Sequence, residues 1–256
     1  MWVFGPFLRY FDFTSAQRVD VWIANSKEVA GRIKKFYRKD AIVVYPPIEI
    51  PDTRYQMPVG EKDYYLLVTR VTGAKGVVEA VRAVEHGGFH LKLVGEIVGG
   101  YQMPDTRYQN IEYLGRVGDE ELGKLYAEAK GFIALARDED FGMTVVEAMG
   151  YGTPVLAYNG GGYRETVIDP ARQQISESAS QHVSKSVNQN RLQTGILIDG
   201  TDAESVMRGI ERMEKTKWDR EAIKKWAGKF GRARFEWEIR EVITKTQNLI
   251  TENTKL

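Results

Sequence analysis

The sequence predicts an α/β fold, built on a doubly wound, Rossmann-like parallel sheet, and three observations lead to this prediction. Short β-rich runs alternate with helical patterns along most of the chain, which implies parallel strands joined by helical crossovers. The 256 residues, 43% of them hydrophobic, supply enough apolar material for a sizeable core. No apolar run approaches the roughly 20 residues that span a bilayer.

Charge and cysteine content narrow the function classes. The chain has 36 basic and 35 acidic residues, so no bulk positive field favours nucleic acid. It has no cysteine, which excludes disulfides, thiolate metal sites and cysteine nucleophiles. Its three histidines show neither metal-ligand spacing on one helix nor the order of a catalytic triad. We expect a cytoplasmic protein, or one peripheral to a membrane, because the absence of cysteine suits a reducing compartment.

The individual elements follow from local patterns. Runs of β-branched and aromatic residues predict strands at 19–24, 41–45, 64–68, 91–94, 111–114, 132–135, 154–157 and 195–198. Apolar residues at helical spacing predict helices at 27–38, 76–84, 119–129, 143–149, 201–215 and 220–229, followed by a long C-terminal helix. Ser26 is placed to cap the first helix, and Thr201 with Glu204 forms a capping box ahead of the fifth.

Breaks in the rhythm divide the chain. The stretch 48–62 lacks periodicity and contains prolines, which indicates a linker between an N-terminal segment, 1–47, and a main domain, 63–230. The C-terminal helix is assigned to 231–256. Within the main domain, 171–193 is rich in glutamine, serine and asparagine and is predicted to be a flexible surface insertion.

Two further features carry no single interpretation. The hexapeptide at 51–56 recurs intact at 104–109, and both copies are expected in loops. Six aromatic residues fall within the first 13: Trp2, Phe4, Phe7, Tyr10, Phe11 and Phe13. Such a cluster packs on the core or contacts a partner or a membrane, and the sequence leaves both alternatives open.

Candidate functional residues lie where predicted strands end, because ligands of doubly wound sheets bind outside the carboxyl ends of the strands. Arg70 and Lys75 follow the strand 64–68 and precede a helix. Two cations beside a helix N-terminus suit a diphosphate. Solvated surface charges are the alternative interpretation of the same spacing.

Acidic residues follow the strand 132–135. Glu139 is predicted in a loop and Glu147 on the helix after it. A loop carboxylate can accept hydrogen bonds from sugar hydroxyls, and a helix carboxylate can bind a ribose diol. Carboxylates also occur near helix N-termini for stability alone. Asp138 and Asp140 further match a D-x-D pattern typical of divalent metal sites.

In combination these segments resemble the C-terminal half of a retaining GT-B glycosyltransferase of family 4, from about residue 19 to 235. Arg70 with Lys75 and Gly76 matches that family's R-x4-K-G diphosphate clamp. Glu139 and Glu147, with seven residues between them, match its E-x7-E motif. In the glycine-rich turn at 159–165, Gly161 and Gly162 with Glu165 continue the pattern.

The resemblance implies a role for each matching residue. Arg70 and Lys75 would neutralise the diphosphate leaving group without a metal, and Glu139 would act with them in catalysis. The donor would be bound by Gly115, Val117, Asp140, Phe141, Gly142, Met143, Thr144 and Glu147. In that set Gly115 to Val117 would line the base and Glu147 would bind the ribose. Loop residues 140–142 would hold the hexose, and the amides of the following helix would meet the phosphates.

The implied activity is metal-independent transfer of a hexose, with retention, from a nucleotide-diphosphate sugar to a glycan or lipid-linked acceptor. The sequence at 139–142 is similar to that of enzymes using GDP-mannose, so mannose is the expected sugar. No cofactor is expected beyond this donor substrate. Only residues 1–47 precede the predicted interdomain crossing, so they are interpreted as the remnant of a longer acceptor domain. A homo-oligomer or a separate acceptor-domain partner is therefore expected; the alternative is a non-catalytic nucleotide-sugar-binding or assembly module.

Overall fold

A computed structural model describes residues 4–49, 63–100, 102, 109–172 and 192–253. Its internal contacts separate two units, Met1–Pro47 with Phe230–Leu256 and Ile48–Lys229. Most of the predicted linker, both hexapeptide copies apart from Gln109, and residues 173–191 of the predicted insertion lie outside the described residues. The domain boundaries drawn from the sequence stay a prediction.

The helices and strands follow the predicted alternation. In chain order they are α1 (Gly5–Ala16), β1 (Trp22–Ala24), α2 (Lys27–Tyr37), β2 (Ala41–Val43), β3 (Tyr65–Val68), α3 (Val77–Gly87), β4 (Leu91–Val94), β5 (Ile111–Gly115), α4 (Asp119–Glu128), β6 (Gly131–Ala134), α5 (Met143–Gly150), β7 (Val155–Tyr158), α6 (Tyr163–Thr166), β8 (Gly195–Ile198), α7 (Ala203–Lys215), α8 (Arg220–Ala227) and α9 (Arg232–Asn253).

The unit formed by the two chain ends contains a two-stranded parallel sheet of β1 and β2. Ser26 caps α2 as predicted, because its Oγ accepts a hydrogen bond from the Val29 amide at 3.0 Å. In the N-terminal aromatic cluster, Phe7, Tyr10, Phe11 and Phe13 lie on helix α1 and Phe4 is its N-cap, while Trp2 lies outside the described residues. Phe4, Phe7, Tyr10 and Phe11 are 71–73% exposed, so the interpretation that they pack on a core is wrong for these four rings, whereas Phe13 is half-buried.

The larger unit contains a six-stranded sheet in the order β5-β4-β3-β6-β7-β8, and every pairing in it is parallel. This confirms the predicted doubly wound sheet. The first strand of this sheet, β3, lies in its interior. β4 and β5 follow on one side of β3, and β6 then lies on its other side. The strand order therefore reverses between β3 and β6, which leaves a crevice outside their carboxyl ends.

The sheet is buried on both faces, as expected for parallel strands between helices. On one face Tyr65 and Leu67 join the core cluster that α3 and α7 complete. On the other, Leu66 of β3 pairs in register with Phe132 of β6, whose ring lies 5.8 Å from that of Tyr126 on α4. Because helices pack on both faces of the neighbouring strands β3 and β6, the positions from which their carboxyl-end loops leave the sheet are fixed by the core.

The capping box predicted at Thr201 is wrong by one residue. Helix α7 begins at Ala203, and its cap is Asp202, whose Oδ1 accepts a hydrogen bond from the Ser205 amide at 2.9 Å. Thr201 is buried and accepts instead from the guanidinium of Arg137. In the glycine-rich turn, Gly162 is the N-cap of α6.

None of the helices within the described ranges is both long and apolar enough to cross a membrane.

Candidate functional site

An ion pair lies at the point where the strand order reverses. Lys75 follows β3 and Glu139 follows β6, and these two strands are neighbours in the sheet. Lys75 Nζ lies 2.8 Å from Glu139 Oε2, with the two side chains 27% and 21% exposed. Partial burial strengthens such a pair relative to one in open solvent. The fold therefore brings together two residues that are 64 positions apart.

The other predicted cation, Arg70, follows the same strand β3 and is exposed. Within the described ranges its side chain has no ion-pair partner. It therefore presents a positive charge to solvent at the same edge of the sheet, whereas the charge of Lys75 is already balanced by Glu139.

Gly76 explains how Lys75 comes so close to Glu139. Its φ of +76° lies in the left-handed region, and a Cβ there would lie 2.6 Å from the Leu135 Cβ and 2.8 Å from the Leu135 carbonyl carbon. Leu135 directly follows β6. Only glycine lets the start of α3 pack against this backbone. Gly76 therefore allows the neighbouring Lys75 to reach Glu139.

The loop that carries Glu139 is supported by the glycine-rich turn. The Gly162 amide donates a hydrogen bond of 2.8 Å to the Glu139 carbonyl oxygen. A Cβ on Gly161, whose φ is +54°, would overlap that same carbonyl oxygen, and one on Gly162 would overlap the Cα of Phe141. The two backbone segments are in direct contact, so the glycines of the turn allow the loop that carries Glu139 to pack directly against it.

Arg137, at the start of this loop, donates hydrogen bonds to a residue in the connection between β8 and α7. The sequence did not indicate this contact. Arg137 Nη2 and Nε donate to Thr201 Oγ1 at 2.7 Å and 3.2 Å. Thr201 is buried between β8 and α7. The only sequence signal was the position of Arg137, two residues before Glu139, which says nothing about its partner.

Two helices that begin beside the ion pair have no side-chain cap. The N-caps of α3 and α5 are Gly76 and Gly142, both with positive φ, whereas Asp202 and Asp219 cap α7 and α8 with their side chains. The first amides of an uncapped helix retain hydrogen-bonding capacity and carry the positive end of the helix dipole. The predicted phosphate contacts at 142–144 form the start of α5, and such a start binds anions well.

Glu147 lies on α5 and is half-buried. Tyr126 Oη, from α4, donates a hydrogen bond of 3.1 Å to Glu147 Oε2. Burial raises the pKa of the Glu147 carboxyl, and the hydrogen bond from Tyr126 partly opposes that rise. Sequence reasoning missed Tyr126, because its apolar neighbours on α4 mark it only as a core residue.

The remaining predicted residues lie at the same edge of the sheet but are not all available to a ligand. Gly115, at the end of β5, has a φ of +64°, and its carbonyl accepts from the Gly95 amide at 2.8 Å. Val117 is half-buried, and β4 separates its strand from β3. Phe141 is 2% exposed, so only its backbone can meet a ligand, whereas Asp140 is exposed.

The alternative metal site at Asp138 and Asp140 gains no third ligand in the described part of the chain. Both residues are exposed in the loop after β6. Nowhere among the described residues do three or more histidine or acidic side chains gather in a way that could hold a metal ion. Metal independence itself stays a prediction.

Several known proteins with related sequences are named as glycosyltransferases. Residues 52–230 match the family model of the glycosyl transferases group 1. An uncharacterized glycosyltransferase of Methanocaldococcus jannaschii is 28% identical over 165 residues, which cover 63% of this chain and 46% of the relative. The GtfA subunit of the UDP-N-acetylglucosamine–peptide N-acetylglucosaminyltransferase of Streptococcus pneumoniae is 23% identical over 202 residues, which cover 70% and 39%. The chain thus spans less than half the length of both curated relatives.

Solved structures share the fold. HepE of Anabaena, crystallised with UDP and glucose, superimposes with a TM-score of 0.65 at 20% identity. The match covers 92% of this chain and 66% of HepE. It confirms the predicted α/β fold with its parallel sheet, of the GT-B type.

The contact between the glycine turn and the Glu139 loop yields a prediction. We expect Gly161→Ala to lower the free energy of unfolding by about 2–4 kcal/mol, because the left-handed φ and the overlap with the Glu139 carbonyl both oppose a Cβ. Gly99→Ala is the matched control: its φ is +69°, but open space surrounds the added Cβ. It should lose only about 1 kcal/mol. Urea denaturation measures both values, and equal losses would contradict the proposed support of the loop.

The raised pKa of Glu147 yields a second prediction. Ionised Glu147 is less favourable in the folded chain than in the unfolded one, so it lowers stability above its folded pKa, and this penalty vanishes below the unfolded value of about 4.3. Glu147→Gln removes the charge and keeps an oxygen that accepts from Tyr126. We expect its Tm to exceed that of the natural protein at pH 8, with the difference shrinking towards pH 4.

Glu120→Gln is the control for this experiment. Glu120 is a surface residue whose pKa is lowered by its hydrogen bond to Lys124, so its ionised form is the favoured one in the folded chain. The same substitution should therefore not raise the Tm at pH 8. A Tm for Glu147→Gln below that of the natural protein at pH 8 would show that burial does not disfavour the Glu147 carboxylate.

Proposed function

We propose, because this chain belongs to the glycosyl transferases of group 1, that it binds a nucleotide-diphosphate sugar at the carboxyl ends of β3 and β6 and transfers the sugar to an acceptor. One observation carries this proposal. The Lys75–Glu139 pair lies at the reversal of strand order, between the uncapped starts of α3 and α5. Cations and free amides that converge on one crevice suit a diphosphate.

The cationic side of the crevice would receive the leaving group. When the bond between sugar and phosphate breaks, negative charge grows on the departing diphosphate. Arg70, which is exposed, and Lys75 supply positive charge there, and the first amides of α5 supply hydrogen-bond donors. Lys75 and the α5 amides are positioned by the fold before the donor arrives, so little reorganisation of these groups opposes the reaction.

The acidic side would recognise the sugars. Glu139 accepts hydrogen bonds from the hexose hydroxyls, and its ion pair with Lys75 holds its carboxylate at the crevice in the free protein. Glu147 binds the ribose diol. The backbone at 140–142 is the part of the loop offered to the hexose, since Phe141 is buried. Gly115 and Val117 line the base.

We further propose that transfer proceeds with retention, without a metal or another cofactor, as in family 4, and that the sugar is mannose donated by GDP-mannose. The support for mannose is the sequence at 139–142, whereas the pneumococcal relative is named for UDP-N-acetylglucosamine. The acceptor is a glycan or a lipid-linked saccharide. Isothermal titration against GDP-mannose, UDP-glucose and UDP-N-acetylglucosamine tests the donor, and transfer measured with and without EDTA tests the metal.

A second candidate function is a nucleotide-sugar-binding or assembly module. It is favoured by the aromatic face of α1, whose exposed rings suit contact with another polypeptide or a second copy of this chain. Binding of a nucleotide sugar without transfer to any simple saccharide acceptor would support this function over the first.

The diphosphate assignment predicts a selective effect at Arg70. Arg70→Ala should weaken binding of a nucleoside diphosphate by about 1.5–3 kcal/mol, the range for a hydrogen bond between charged groups. Binding of the nucleoside without phosphates should hardly change. Arg82→Ala, which removes another exposed arginine from α3, is the matched control and should change neither value. Equal weakening of both ligands by Arg70→Ala in titration calorimetry would refute the assignment.

The two acidic residues should separate in the same assay. Glu147→Gln should weaken binding of the free nucleoside diphosphate, since its partner is the ribose. Glu139→Gln should leave that affinity nearly intact but weaken binding of the sugar-bearing donor or slow its turnover. The reverse pattern would mean that the two roles are exchanged.

A further inference from the structure

A buried tyrosine reaches the acidic motif from a neighbouring helix. Tyr126 on α4 is 2% exposed, and its Oη donates a 3.1 Å hydrogen bond to Glu147 Oε2. A carboxylate offers about four acceptor positions on two oxygens. The bond therefore occupies one position and leaves Oε1 of Glu147 able to accept hydrogen bonds from a ligand.

The phenol ring of Tyr126 is held rigidly. It stacks on Tyr151 with 5.5 Å between ring centroids and an angle of 20° between planes, and its other neighbour is Phe132 at 5.8 Å. Gly123 makes room for the stack, because a Cβ there would lie 2.7 Å from Tyr151 Oη. The buried Thr153 hydroxyl donates to the Tyr126 carbonyl. These contacts hold the ring so that its hydroxyl points towards Glu147.

The hydrogen bond also acts on the charge of Glu147. Burial raises the pKa of this carboxyl, and donation from Tyr126 lowers it. Tyr151, which directly follows α5, is the other titratable group that interacts electrostatically with Glu147. The pKa values of the Tyr126 and Tyr151 phenols are both raised, so both stay protonated at neutral pH. Within the described residues no charged side chain of α6 or α8, which also pack on α5, counters the burial.

We propose that Tyr126 is a positioning residue for nucleotide binding: the hydrogen bond from its phenol holds the Glu147 carboxylate turned so that it can receive the ribose diol. This inference rests on the proposed function, in which Glu147 binds the ribose. Tyr126 itself lies too deep to touch the ligand. It acts only through Glu147, since a protonated carboxyl accepts fewer hydrogen bonds than a carboxylate does.

Tyr126→Phe tests this role with uridine and guanosine diphosphate as probes. The variant should bind whichever of the two the natural protein binds about threefold to tenfold more weakly at pH 7. The pH at which binding is half lost on acidification should rise, because Glu147 then protonates more readily. Binding of inorganic pyrophosphate, which has no ribose, should stay unchanged.

Tyr64→Phe is the matched control. It also removes a buried phenol, whose Oη donates at 2.9 Å to the carbonyl of Leu125, the residue next to Tyr126. It should lower stability without moving the pH midpoint or the nucleotide affinity. A change of equal size in both variants would mean that Tyr126 acts only through the general stability of α4.

The combined variant separates the failure of this inference from that of the proposed function. If Glu147→Gln leaves nucleotide affinity unchanged, the proposed ribose contact is wrong and the role of Tyr126 falls with it. If Glu147→Gln weakens binding but Tyr126→Phe moves neither affinity nor midpoint, only the role of Tyr126 is wrong. If both act through one contact, Tyr126→Phe adds no further loss to Glu147→Gln.

A second replacement keeps the test decisive should Tyr126→Phe fail to fold. Incorporation of 3-fluorotyrosine at position 126 preserves the ring and the hydroxyl but makes the phenol a stronger donor. The pH midpoint for nucleotide binding should then fall. An unchanged or higher midpoint would overturn the proposal.

Discussion

The reversal of strand order between β3 and β6 is the constraint on which the candidate site depends. All strands of the large sheet are parallel, so each loop that carries a functional residue leaves from the same edge. Helices that follow neighbouring strands to opposite sides of the sheet leave a gap between them only at the reversal. Lys75 and Glu139 meet there because their strands are adjacent, although 64 positions separate them in the chain.

Glycines, which have no side chain, are as important at this site as the charged residues. Gly76 lets α3 start against the backbone of Leu135, and Gly161 lets the turn before α6 lie against the backbone of Glu139. A Cβ at either position would push the cation or the carboxylate away from the crevice. Glycine caps also leave the first amides of α3 and α5 without a side-chain acceptor, which favours an anionic ligand there.

Glu147 shows the conflict between stability and binding. Its carboxylate is half-buried, and burial disfavours its charge, yet the proposed ribose contact needs that charge. Tyr126 reduces the conflict because a buried phenol supplies a hydrogen bond without adding a charge of its own. Arg137 and Thr201 form a comparable contact at the start of the Glu139 loop, where the buried Thr201 hydroxyl accepts hydrogen bonds from the Arg137 guanidinium.

The sequence by itself determined the alternation of strands and helices, the parallel sheet and the cap at Ser26, because periodicity and helix caps depend on residues a few positions apart. The order and spacing of Arg70, Lys75, Glu139 and Glu147 also indicated them as candidate functional residues. Only the tertiary structure decided which residues meet and in what geometry.

Tyr126 reaches Glu147 across 21 positions and Arg137 reaches Thr201 across 64, so no local pattern could pair them. The same limit explains the displaced cap of α7, since the Thr201 side chain accepts hydrogen bonds from the distant Arg137 instead. It also explains the exposed rings of α1, since apolar composition does not say which surface is available to cover them. Periodicity is a local property, whereas contacts between elements depend on strand order and on the helix faces that strand order brings together.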